Sequence, residues 1–185
     1  MPAPTDLEWV REIVRRHEAA LLRFASALIG QSQAEDVVQD TFLRLVAADR
    51  AELENKVTPW LFTVCRNRAL EIKRSPARKN VALEEGGDME ASEPLAAEAL
   101  ERRDDQQRVT RMVDELPEKH REVVALRFAG GLSYREIATV TGMTESNVGF
   151  ILHTALKSLK KKLSEEGGAL STESTHRSYP ERRAT

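Results

Sequence analysis

The stretch Gly131-Leu132-Ser133-Tyr134-Arg135-Glu136-Ile137-Ala138, followed by Thr141-Gly142-Met143-Thr144, constrains this chain more than any other. Ser133 is placed to cap a helix, and Glu136, three residues on, completes a capping box. Gly142 suits the left-handed residue that closes such a helix. Thr144 is placed to cap the next one. The pattern predicts helix, tight turn, helix, with a second helix able to enter a DNA major groove.

Around this unit the residue usage is helical. Aromatic residues are 5% of the chain, and alternating strand patterns are scarce beside three- and four-residue apolar spacings. The expected fold class is all-α: two small helical domains joined by a flexible linker, the second containing the helix-turn-helix. The one cysteine, Cys65, excludes an internal disulfide and fits a reducing compartment. No basic segment followed by an apolar one opens the sequence, so no signal peptide is expected. No apolar run approaches the ~20 residues of a membrane span, so no membrane insertion is expected and the chain reads as cytoplasmic.

Leu7, Val10, Val14, Leu21, Phe24 and Leu28 form one stripe and predict a helix from about Asp6 to Ile29, with His17 on the stripe and Gly30 ending it. A second helix is expected from Ser32 or Ala34, with rows Val37-Thr41-Leu45 and Val38-Phe42-Val46. A polar loop over 47–57 follows. Thr58-Pro59 predicts a third helix, with Thr58 as N-cap and Pro59 at the first position; Ser75-Pro76 breaks it. The expected divisions are a first domain over 6–75, an acidic linker over 76–94, a second domain over 95–163 and a disordered tail over 164–185. Helices are expected at about Leu95–Leu116, Glu118–Phe128 and Glu145–Leu163, with Glu165-Glu166-Gly167-Gly168 ending the last.

The net charge of -2 argues against a protein that coats DNA, but the charge is uneven. Residues 76–110 hold 5 basic and 9 acidic side chains, net -4, whereas 111–163 hold 9 basic and 6 acidic, net +3. Screening limits what a phosphate backbone senses to about 8–10 Å, so local charge decides.

Three segments are candidates for chemistry. On the last helix Val148, Leu152, Ala155 and Leu159 face inward, and Ser146, Phe150, His153 and Lys157 face away. An outward Phe150 suits thymine methyl groups; packing on a neighbouring helix or partner explains it equally well. Lys157, Lys160, Lys161 and Lys162 suit phosphate, and also the negative end of a helix. The second segment runs from Arg66-Asn67-Arg68 through Lys73-Arg74 to Arg78-Lys79, six cations in fourteen positions opposed only by Glu71, with Trp60 and Phe62 just before. Cations beside aromatics suit a single strand; the plainer reading is a solvated face with Trp60 in the core. The third is Ala34-Glu35-Asp36-Val37-Val38-Gln39-Asp40-Thr41-Phe42-Leu43-Arg44, an acidic amphipathic helix able to dock a basic partner or simply to face water.

Ala34 to Phe42 resembles the core-polymerase-binding helix of bacterial sigma-70 factors. Trp60-Leu61-Phe62-Thr63-Val64-Cys65-Arg66-Asn67 resembles their promoter-melting helix, and Leu116 to Ala138 their fourth conserved region. The three motifs stand in the family's order and separation over nearly all of 7–163, and the two-domain length resembles the extracytoplasmic-function group. The resemblance implies a non-enzymatic protein with no catalytic residue, metal or cofactor, whose partners are RNA polymerase core and promoter DNA, with an anti-sigma protein as a further candidate. It implies core binding through Glu35, Asp36, Gln39, Asp40 and Phe42. It implies -10 recognition through Trp60, Arg66, Asn67, Arg68, Lys73 and Arg74, and -35 recognition through Arg135, Ser146, Phe150, His153 and Lys157. This sequence departs from the family pattern early in the recognition helix: Val148 to Leu156 carries no Lys or Arg, and Gly149 lowers helix stability by roughly 0.5–1 kcal/mol relative to alanine.

The alternative is a free-standing helix-turn-helix regulator, which leaves the acidic helix and the Trp60 helix without a task. An enzyme is disfavoured, since His17, His120, His153, His176 and Cys65 are scattered without metal-ligand spacing and no phosphate-binding glycine loop is present.

Overall fold

Gly30 turns the chain back on itself at φ 86°, and its N–H closes the first helix on the Ser26 carbonyl at 2.9 Å. The turn makes α1 (Pro4–Ile29) and α2 (Gln31–Ala47) neighbours over most of their lengths. The computed structural model describes residues 4–53, 55–75 and 107–173. Among them the chain continues through α3 (Arg50–Leu53), α4 (Val57–Arg74), α5 (107–114), α6 (Glu118–Phe128), α7 (Tyr134–Thr141) and α8 (Glu145–Glu173). All regular elements described are helices. The expected boundary at residues 76–94 lies outside the described residues.

Three boundaries differ from expectation, each for a local reason. The polar loop holds a helical turn, α3, begun by an Ala51 N–H that Asp49 Oδ1 accepts at 2.8 Å. The third helix starts at Val57, so Thr58 and Pro59 lie inside its first turn. A helix's first N–H groups have no partner within it, so Pro59 loses nothing there. Thr58 does not cap; its hydroxyl lies 3.5 Å from His17 Nε2. The last helix continues past residue 163, through Gly167 and Gly168, to Glu173. Two glycines lower helix propensity without by themselves forcing a stop, and both have helical backbone here.

α1, α2 and α4 pack around Phe24 and Phe62, whose rings meet edge to face at 5.3 Å between centroids. α6, α7 and α8 pack around Val123, Leu126, Leu132, Ile137, Val148 and Leu152. These buried groups form one continuous core. α6 joins them. Glu122 to Leu126 are five consecutive buried residues, which a helix achieves only when it is covered on every side. α1 covers one side of α6, and α7 and α8 the others.

Gly130 lies where the end of α6 meets Phe62 of α4. A Cβ there would lie 2.7 Å from the Leu126 carbonyl oxygen, 2.8 Å from Leu132 Cδ1 and 2.9 Å from Phe62 Cε1. Gly130→Ala is expected to lower stability by about 1–3 kcal/mol through overpacking, read as a lower urea midpoint.

Candidate nucleic-acid interface

The helix-turn-helix forms by the expected local chemistry. Ser133 Oγ accepts from the Glu136 N–H at 3.3 Å, and the Glu136 carboxylate accepts from the Ser133 N–H at 2.8 Å. Gly142 closes α7 in the left-handed conformation at φ 73°. Thr144 Oγ1 accepts from the Asn147 N–H at 3.3 Å and opens α8. Val148, Leu152 and Ala155 of α8 are buried, with Ile151 beside them. Ser146, Phe150, His153 and Lys157 are exposed, and so is Arg135 at the start of α7. Phe150 is 67% exposed, so it is not packed into the core formed by the described residues.

Gly149 has a neighbour that sequence alone did not reveal. Tyr134 lies across it: a Cβ on Gly149 would sit 3.6 Å from Tyr134 Cε2, in ordinary contact. The other partner of the Tyr134 ring is Arg127, whose guanidinium lies 5.7 Å from the ring centre and donates to the Leu132 carbonyl at 2.8 Å. The space at Gly149 therefore admits a methyl group. Gly149→Ala is expected to raise stability by about 0.5–1 kcal/mol, seen as a higher Tm with the fold unchanged by circular dichroism.

On α4 the candidate strand-binding side chains separate into two groups. Asn67 and Arg74 are exposed, and Trp60 is partly buried against the core. The other three cations hold carboxylates. Arg66 pairs with Glu122 of α6 through Nε and, at 3.4 Å, through Nη2. Lys73 Nζ donates to Glu118 Oε1 at 2.7 Å. Arg68 lies 3.5 Å from Asp40 Oδ2 and 3.3 Å from Glu71 Oε2. The Lys73 contact holds the Glu118 carboxyl below its usual range. Glu118 and Glu122 were missed in the sequence, because nothing local shows that they meet cations 45 and 56 positions away.

On α2, Glu35, Asp36 and Gln39 are exposed. Asp40 is half-buried between Arg68 and Arg44, the latter at 3.4 Å. Phe42, which the resemblance implies as a core-polymerase contact, is partly buried and packed on the core. The exposed large apolar residues of this helix are Leu43, at 68%, and Val46, at 43%. With Asp36 and Gln39 they follow three- and four-residue steps, which places all four on one face. Leu43 stood in the sequence as an apolar residue on a polar face, and that was the available signal.

Cys65 on α4 is buried, and burial pushes its thiol up to about 12 against a hydrogen bond with Thr41. His17 is held below its ordinary value by partial burial and then by Arg16. Cys65 is sealed from solvent, whereas His17 is only partly buried.

Residues 13–79 match the family model for sigma-70 region 2, and residues 106–159 match that for sigma-70 region 4. A curated relative, ECF RNA polymerase sigma factor SigL of Mycobacterium tuberculosis, is 34% identical over 173 residues, covering 89% of this chain and 94% of the relative. The chain is an extracytoplasmic-function sigma factor of the sigma-70 family. ECF RNA polymerase sigma factor SigM of Bacillus subtilis is 27% identical over 155 residues, 82% of this sigma factor and 93% of the relative. The fold is that of a solved complex, the sigma factor RpoE with the anti-sigma factor NepR from Bartonella quintana. The TM-score is 0.62 at 23% identity, over 83% of this sigma factor and 98% of that chain. No helix among the described residues is long and apolar enough to cross a membrane.

Proposed function

We propose that this sigma factor binds RNA polymerase core through the exposed face of α2 and directs initiation at promoters read by α4 and by α7–α8. The observation that carries this reading is the pair of family segments, region 2 and then region 4, on one chain. A free-standing regulator needs only the second. Residues 6–75 serve core binding and the -10 element, and residues 95–163 serve the -35 element. Asp36, Gln39 and Leu43 make the core contact with Glu35 beside them, while Asp40 and Phe42 hold that face from beneath. Trp60, Asn67, Arg74 and the three paired cations, Arg66, Arg68 and Lys73, meet the non-template strand at -10. Arg135 takes phosphate, and Ser146, Phe150, His153 and Lys157 line the groove at -35. An anti-sigma protein is a proposed third partner, and the cytoplasm the proposed site of action. Transcription in vitro with core over a genomic fragment library tests the reading: reproducible start sites that appear only with this factor support it, and their absence alongside binding to a palindromic site without core would overturn it.

The -35 contact is proposed to lean on Phe150 more than on charge. Phe150→Ala is expected to weaken binding to a -35 duplex by about tenfold, the cost of one good base contact. Lys157→Gln is expected to reduce the salt slope by about 0.9. Titration at several salt concentrations checks both, and an affinity untouched by Phe150→Ala would remove Phe150 from the site.

A further inference from the structure

We propose that Tyr134 is a further contact to the -35 duplex: its phenol donates to a phosphate oxygen beside the groove that α8 enters, and Gly149 is the gap that seats its ring. The contact rests on the functional reading above and adds to it a residue of different chemistry, a neutral donor among cations.

The seat is the first support. Ser146, Gly149 and His153 follow three- and four-residue steps along α8, so they form one row, and Ser146 and His153 belong to the groove-facing set. Gly149 puts no side chain into that row. The Tyr134 ring fills the place from α7, with Cε2 3.6 Å and Cδ2 3.9 Å from where a Cβ would stand. The Arg127 guanidinium lies 5.7 Å from the ring centre, and its donation to the Leu132 carbonyl at 2.8 Å holds it there. A cation over the ring face is attractive, so the ring is positioned by a helix backbone and a guanidinium. Neither contact uses the hydroxyl.

The hydroxyl is the second support. Tyr134 is 44% exposed, and among the described residues its phenol makes no hydrogen bond. The O–H is open to an acceptor from outside the chain.

The third support is place. In a helix-turn-helix the first helix crosses the DNA backbone while the second lies in the groove. Tyr134 is the first residue of α7, next to the exposed Arg135. The capping box fills this helix end with the Glu136 carboxylate, which accepts from the Ser133 N–H at 2.8 Å and from its hydroxyl at 2.7 Å. The end offers phosphate no open anion seat, so side chains make the contact. Tyrosine hydroxyls are among the groups that hold phosphate oxygens and fix register without reading sequence. Val148 to Leu156 carries no Lys or Arg, and a donor from α7 offsets part of what α8 lacks there.

The test uses the full-length factor assembled with polymerase core, on a promoter duplex found by the transcription experiment above. Tyr134→Phe keeps the ring on its seat and removes only the hydroxyl, so Tm should stay within about 1 °C of wild type. Affinity is expected to fall by about tenfold, the loss of one hydrogen bond to a charged acceptor. A phenol displaces no counterion, so the salt slope should not change, unlike that of Lys157→Gln. Replacing the -35 phosphates one at a time by methylphosphonate should find a position where wild type loses about tenfold and Tyr134→Phe no more than about twofold. Gly149→Leu, which takes the place of the ring, should cost as much as Tyr134→Phe and add less than about twofold to it, whereas Gly149→Ala should bind within about twofold of wild type. A Tyr134→Phe factor that binds within about twofold of wild type overturns the contact, as does a loss that no methylphosphonate position masks. Additive losses for Gly149→Leu and Tyr134→Phe overturn Gly149 as the seat. Failure of the functional reading looks different: wild type with core then shows no preference for the promoter duplex over an unrelated one, and the Tyr134 contact falls with it.

Discussion

Phe62→Ala is expected to destabilise the protein by about 3–5 kcal/mol, the range for a large aromatic removed from a core. Phe62 is fully buried, stacks edge to face on Phe24 and reaches Gly130 beyond the α1–α2–α4 bundle. Its removal therefore empties space on both sides of the joint. Domains of this kind have roughly 5–15 kcal/mol to lose, so Tm should fall by roughly 6–20 °C. Denaturant unfolding measures it, and a double-mutant cycle with Phe24→Ala should return a coupling of about 0.5–1.5 kcal/mol for the ring pair. Combining Phe62→Ala with Gly130→Ala should cost less than the sum, because one of the three atoms crowding the new methyl has gone. A loss below about 1 kcal/mol for Phe62→Ala would mean that the two helix groups are not joined through this ring.

Asp36→Arg with Leu43→Arg is expected to weaken association with polymerase core by about 30- to 1000-fold, the equivalent of 2–4 kcal/mol at a docking centre. Asp36 supplies charge and Leu43 an exposed apolar anchor, a combination that favours a basic partner with an apolar seat. Both side chains point away from the core, so Tm should stay within about 1–2 °C of wild type. Competition with a labelled wild-type factor for core gives the ratio. A change under threefold at ordinary salt would falsify the placement of the contact on this face.

The parts of the fold that were legible in the sequence are those set by neighbours within four positions. Ser133 with Glu136, Gly142 and Thr144 each fix a boundary with their own side chain or backbone conformation, and the inward row of α8 follows from its spacing. Glu122 shows the limit. Its partner is Arg66, distant in the chain, and an acid ahead of Val123-Val124-Ala125-Leu126 carries no local sign of an ion pair. α6 was legible as a helix but not as the joint, because a helix covered on all sides loses the periodic stripe that would say which way it faces. At the candidate sites the exposed polar set on α2 and α8 was legible. The depth of Phe42 and the exposure of Leu43 were not legible for one reason: a two-row pattern does not say how deep each row sits until α4 is packed against it. The role of Gly149 depended on Tyr134, which only the turn between α7 and α8 brings alongside.

Cys65 gives the protein a built-in clock. Burial holds its thiol up to about 12, so the reactive thiolate is scarce at neutral pH, and burial also denies a reagent access to it. Modification must wait for α4 to lift from α1 and α2, after which the thiol reacts as an ordinary one. The chain holds no second cysteine, so labelling at excess reagent reports the exposure of this one core position, by opening of α4 or by wider unfolding. Followed with and without polymerase core, it would show whether the partner changes how often the seat of α4 opens, in the native sequence and without any attached probe.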